Sequence, residues 1–102
     1  MNYLLADAAE ADLRAIIRYT RTQWGPDQAR SYMAKLHAGI TRIAAGHGSF
    51  KTLDALYPAL RVAHCGHHYV FCLPRSNAPA LVIAILHERM DIITHVAARL
   101  DA

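Results

Sequence analysis

Seven histidines, two cysteines and eleven Lys and Arg residues make up the reactive stock of this 102-residue chain. Metal-free phosphodiester cleavage is the first chemistry to test against them. It needs a base for the 2′-hydroxyl proton, an acid for the leaving oxygen and a cation for the phosphate. Arg61 with His64 or His87 offers an acid–cation pair. The rest of the set is thin. Lys51 and Asp54 stand in a polar loop without a basic cluster around them, and Arg89 and Met90 follow His87. A motif without its full set of groups predicts no catalytic residue.

Other chemistries fit less well. His67 and His68 are adjacent, so on a strand they point to opposite faces. His87 and His95 are eight positions apart, which is not metal-ligand spacing. No metal and no cofactor is expected. A hairpin turning near Gly66 would put Cys65 at its tip and Cys72 near its far end. Such Cα atoms lie beyond the ~7 Å a disulfide allows, so two free structural thiols are expected. Gly46 and Gly48 follow a helix, whereas a phosphate loop joins a strand to a following helix.

Residues 2–6 read as a short strand. Asp7 stands three positions before Glu10 like a capping box, opening a helix. Leu13, Ile16, Ile17, Thr20 and Trp24 share one face of it. Glu10 and Arg14 are spaced as an i,i+4 pair, with Arg18 and Arg21 late, as the helix dipole prefers. Gly25-Pro26-Asp27 breaks this helix and starts another, along which Ala29, Tyr32, Met33, Leu36, Ile40, Ile43 and Ala44 follow at helical spacing. So short a link makes an antiparallel helix hairpin. Residues 46–58 are irregular. Leu60 to His64 alternates, Gly66 turns, and His68 to Leu73 is rich in strand formers. Ala80 to Leu86 is an unbroken apolar run, as in a central strand. A short helix follows Asp91. The expected class is α+β: a two-layer fold with an N-terminal strand, a helix hairpin, three further antiparallel strands and a short C-terminal helix.

The length suits a single domain over residues 1–102. Hydrophobic residues make up 54%, but 19 of them are alanines, so a limited set of Leu, Ile, Val, Tyr and Trp must form the core. No apolar stretch approaches the ~18 residues of a membrane helix, and the N-terminus lacks the basic region of a signal peptide. A cytoplasmic protein is expected. The net charge of +3 is dispersed and reads as solubilising.

Four stretches carry a resemblance. They are Leu5 through Ala9-Glu10 to Asp12-Leu13; Ile17 through Tyr19-Thr20 and Gln23-Trp24-Gly25 to Gln28-Ala29 and Tyr32; Leu60-Arg61 and the hairpin into Tyr69-Val70-Phe71; and Ile83 through Leu86-His87 to Arg89-Met90-Asp91 and His95. In that order they resemble the ParE branch of the RelE/ParE toxins. The chain departs from the pattern in three places. Asp7 stands where a Pro is usual, Gly46-His47-Gly48-Ser49 replaces Pro-x-x-Gly, and Cys72-Leu73 replaces Tyr-Arg.

The resemblance implies the toxin of a type II toxin–antitoxin system, neutralised by a cognate antitoxin in a hetero-oligomer. ParE-like members inhibit DNA gyrase, whereas RelE-like members cleave mRNA, and a shared fold does not separate them. The missing catalytic side chains favour a non-enzymatic gyrase inhibitor without sequence-specific nucleic-acid binding. An mRNA endonuclease, or an antitoxin-binding homologue with a changed target, is the alternative. Arg61, His87, Arg89 and Met90 are expected at the target-facing edge. Tyr3, Tyr19, Tyr32, Met33, Leu36 and Ile40 are large for the surface of a small domain. Those left outside the core are expected to line an apolar groove for the antitoxin.

Overall fold

The computed structural model describes residues 2–101. Its elements run β1 (Tyr3–Leu5), α1 (Asp7–Trp24), α2 (Pro26–Ala45), β2 (Lys51–Thr52), β3 (Arg61–Cys65), β4 (His68–Leu73), β5 (Ala80–His87) and α3 (Ile92–Leu100). They form one five-stranded sheet in the order β1-β5-β4-β3-β2. β1 lies parallel to β5, pairing Tyr3 with Ala80, and the other pairs are antiparallel. The α+β class and the order of the main elements are those read from the sequence. β2 is the addition. Its two residues are too few to show any alternation, so it was hidden in the irregular stretch.

The helix hairpin turns on Gly25 alone, at φ 91° and ψ 168°. A β-carbon would be disfavoured by that φ, and Pro26 follows as a pre-shaped first helical residue. At the other end of α1, Ala6 occupies the capping position and no side chain caps the helix. Asp7 is therefore a first-turn charge and not the expected cap. Glu10 turns instead to Arg14, with which it pairs. Ala9 and Ile16 are buried, but Trp24 is 68% exposed because the last turn of α1 projects beyond the face it shares with Ile16.

The sheet is buried on both faces. On the helix side Leu36, Ile40 and Ile43 of α2 meet Val70, Cys72, Val82 and Ile85. On the far side Phe71, Ala84 and Leu86 lie with Leu60 and Val96 of α3. Burial of each large side chain contributes roughly 1.5–3 kcal/mol, and the two-sided cover explains the unbroken apolar run of β5. That strand also carries a bulge. Phe71 pairs with Ala84 and Cys72 with Val82, which leaves Ile83 as the extra residue.

Past the end of β1, the edge of β5 needs other partners. The last bond to the β1 side is Ala6 N–H donating to Val82 O at 2.9 Å. Beyond it, the Ile85 amide donates to Asp12 Oδ2 (2.9 Å) and Ile83 O accepts from Arg99 Nη1 (3.0 Å). Arg99 also holds both Asp12 oxygens, at 2.7 and 2.8 Å. One bidentate pair thus ties α1, β5 and α3 together and satisfies backbone groups of β5 left open where β1 ends.

Candidate functional site

The β3–β4 turn and the end of β5 gather four of the histidines. The register sets this directly: Cys65 pairs with His68, and His68 with His87. The Glu88 amide donates to His67 O at 2.9 Å, which fixes the β5 end against the turn. Gly66 makes the turn at φ 63°, and a β-carbon there would stand 2.6 Å from Tyr32 Cε1. Glycine is required twice over, once by the backbone and once by the tyrosine ring.

Tyr32 reaches over from α2. Its hydroxyl oxygen accepts from the His67 amide at 2.9 Å and lies 2.6 Å from His68 Nδ1. With the amide donating in, the tyrosine proton is available to Nδ1, which accepts it when the neutral ring carries its proton on Nε2. The environment agrees. Burial, then the neighbouring His87 and His67, push the His68 pKa down to about 4. Burial likewise raises the Tyr32 phenol.

Glu88 lies on the outer side of the turn. His64 Nε2 is 2.8 Å from its Oε1, and His67 Nδ1 is 3.1 Å from its Oε2. The bonds to His67 and then His64 hold its carboxyl below the usual range. His87 packs edge-on against His68 with centroids 5.2 Å apart, and its Nδ1 accepts from the Arg89 amide at 3.1 Å. Arg89 and Met90 follow on an exposed turn closed by Met90 N–H to His87 O (3.0 Å).

Three residues expected at a target-facing edge, His87, Arg89 and Met90, therefore do come together. Arg61 does not join them, which corrects that expectation. It pairs with Cys72, four positions along β4 from the partner of His87, an offset of roughly 13 Å at ~3.3 Å per residue. Its guanidinium donates to Ile43 O at 3.0 Å and Ala44 O at 3.5 Å and covers the Phe50 ring. Arg61 caps the end of α2.

The groove residues also divide. Tyr3, Leu36 and Ile40 are buried, because α2 lies over the helix-side face of the sheet. These three belong to the core and cannot line an open groove. The Tyr3 hydroxyl pairs with His37 Nδ1 at 2.8 Å. Tyr32 and Met33 are half-buried and Tyr19 is exposed. Cys65 and Cys72 are free and buried, and burial pushes the Cys72 thiol up to about 11. Among the described residues no three His, Cys, Asp or Glu side chains converge as a metal site, and no helix is long and apolar enough to cross a membrane.

The cluster is poorly suited to proton transfer. Glu88 is committed to two imidazoles, His68 is neutral and buried, and the helix-capping arginine is at the other end of β3. Arg89, Met90 and Ile93 face outward. Such an arrangement stiffens the turn and the end of β5.

The fold is a small sheet packed under a helix hairpin, with the histidine cluster at one end of the sheet. The family described as the ParE toxin of type II toxin–antitoxin systems, parDE, matches residues 3–92, and the chain belongs to that family. It is 64% identical over 98 residues to Toxin ParE of Escherichia coli, a match covering 96% of this chain and 95% of that one. Toxin ParE1 of Mycobacterium tuberculosis is 36% identical over 90 residues, covering 88% and 92%. A solved structure titled as the chromosomal ParDE TA system from P. aeruginosa shares the fold, with a TM-score of 0.65 at 16% identity over 85% of this chain and 95% of that one. The protein is the toxin component of a type II toxin–antitoxin system.

Proposed function

We propose that this toxin inhibits growth by binding DNA gyrase and blocking replication, with no catalysis of its own. In this reading it acts in the cytoplasm and is neutralised there by a cognate antitoxin in a hetero-oligomer. The observation that carries the reading is the state of the polar cluster. Its potential acid and base groups are spent on one another, while the residues beside it that remain open, Arg89, Met90 and Ile93, suit protein contact. The likeness to Toxin ParE along nearly the whole chain supports the same reading.

The antitoxin surface follows from what the core leaves out. Tyr19 and the exposed parts of Tyr32 and Met33 are the apolar groups available on the helix hairpin, backed by buried Leu36 and Ile40. The ParDE title of the P. aeruginosa structure names a toxin–antitoxin system, which supports a partner for this chain too.

The test is induction in a bacterial host, with and without the antitoxin. The expected result is DNA breaks, filamentous cells and loss of gyrase supercoiling in vitro, with mRNA intact. Rapid mRNA cleavage would overturn the gyrase reading and make the toxin a nuclease. Growth arrest with neither lesion would overturn it in favour of another target.

A further inference from the structure

Arg42 and Arg61 both lie at the carboxyl end of α2, where a cation ordinarily serves the last carbonyls. Arg61 takes that role from β3. The Arg42 carbonyl accepts from the His47 amide at 2.9 Å. The Arg42 guanidinium itself has no carboxylate or carbonyl partner among the described residues, unlike Arg14, Arg30, Arg75 and Arg99. Its stem runs over Gly48, where a β-carbon would stand 3.6 Å from both Cδ and Nε. Its Nη2 lies 3.9 Å from where Gly39 would carry one. The arginine thus lies along the cleft, within contact distance of both glycines.

That cleft runs between α2 and β3 and holds about 290 Å³, at the small end of ligand pockets. Arg42 lines it from α2, His47 and Ser49 from the loop after α2, and His64 and Cys65 from β3. No Asp or Glu lines it. His64 gives Nε2 to Glu88, so the other nitrogen of its neutral ring is an acceptor and offers an anion nothing. A guanidinium without a counter-charge, the Ser49 hydroxyl and the His47 imidazole call for an anion. Their spread over several walls favours a group with three or more oxygens over a flat carboxylate.

We propose that this cleft binds phosphoryl groups, either from a nucleic-acid backbone or from a small phosphorylated molecule. The inference does not depend on gyrase as the target. Its test is an amide NMR titration of the purified toxin at low salt, first with pyrophosphate and then with a short DNA duplex. Saturable shifts are expected at Gly48 and Ser49. Arg42→Ala, an exposed helical site where alanine keeps the helix, should weaken binding about tenfold, or ~1.4 kcal/mol. Arg42→Lys should fall between, and Arg18→Ala on the outer face of α1 should bind as the parent. Saturation by pyrophosphate supports the site and assigns it to small phosphates. Arg42-dependent saturation by DNA alone supports it and assigns the backbone. No saturable shift with either probe overturns the proposal. So does an equal loss in Arg18→Ala, which would mean diffuse charge attraction.

Discussion

Arg99 reaches 87 residues back along the chain to hold both carboxylate oxygens of Asp12. The pair is largely shielded, with side-chain exposures of 25% and 16%. Removing one partner strands the other beside the β5 bulge. Arg99→Met is expected to cost about 2–3 kcal/mol, somewhat less than for a fully buried pair. Urea unfolding measures it. Adding Asp12→Asn should recover part of the loss, since the amide oxygen still accepts from Ile85. An unchanged midpoint in Arg99→Met would show that the pair contributes nothing.

His68 makes the fold acid-sensitive. Its folded pKa of about 4 lies below the ordinary 6.5, so the unfolded chain binds the extra proton. Stability is full above about pH 6.5 and falls as pH drops towards 4, by on the order of 3 kcal/mol. Glu88 acts in the same direction at lower pH, because its folded pKa is depressed and its bonds to His67 and His64 are lost on protonation. In His68→Asn, a pH series of thermal unfolding should show a flatter profile between pH 6.5 and 4. A slope equal to the parent's would refute the assignment to His68.

Gly39 inverts the usual helix rule. An alanine in place of a helical glycine is normally worth up to ~1 kcal/mol. Here the new β-carbon would sit 2.4 Å from Cys65 Sγ. Gly39→Ala is expected to destabilise by about 1–3 kcal/mol through overpacking. Combined with Cys65→Ala, the same change should cost far less. Additive losses in denaturant titrations of the two variants and their combination would mean that the two sites do not touch.

Substitutions at Arg61 and at the Arg89–Met90 turn are expected to separate stability from growth inhibition. Arg61→Ala removes the cap on α2 and should lower stability by about 1–2 kcal/mol. The Arg89→Ala, Met90→Ala double variant touches only exposed positions. It should unfold with the parent while losing growth inhibition in an induction assay. Full toxicity in that folded variant would move the target surface elsewhere.

Much of the fold was readable from periodicity. The apolar spacing of α2, the Gly25-Pro26 break, the Gly66 turn and the run of β5 each state their own local structure. The site was less readable because its bonds link residues far apart in the sequence. Tyr32 meets His68 across 36 positions and His64 meets Glu88 across 24. Nothing in the spacing of four histidines shows that two will share one glutamate while a third is buried. Arg61 misled for the same reason: an arginine on a strand reads as a free cation until the helix end beside it is known. Tyr3 read as surface because a three-residue strand gives no sign that it will be buried against β5 and α2.

The parallel pairing of Tyr3–Leu5 with Ala80–Val82 has a consequence in time. The first strand to be synthesised has no neighbour until some eighty residues have been made. Both faces of the sheet also wait for β5, which supplies residues to each. A nascent chain can pair β2, β3 and β4 first, but β1 stays unpaired until β5 arrives, together with the Arg89–Met90 turn. The five-stranded sheet is closed only once residues 80–87 have been made, so any partner of the toxin meets either an open sheet or a closed one.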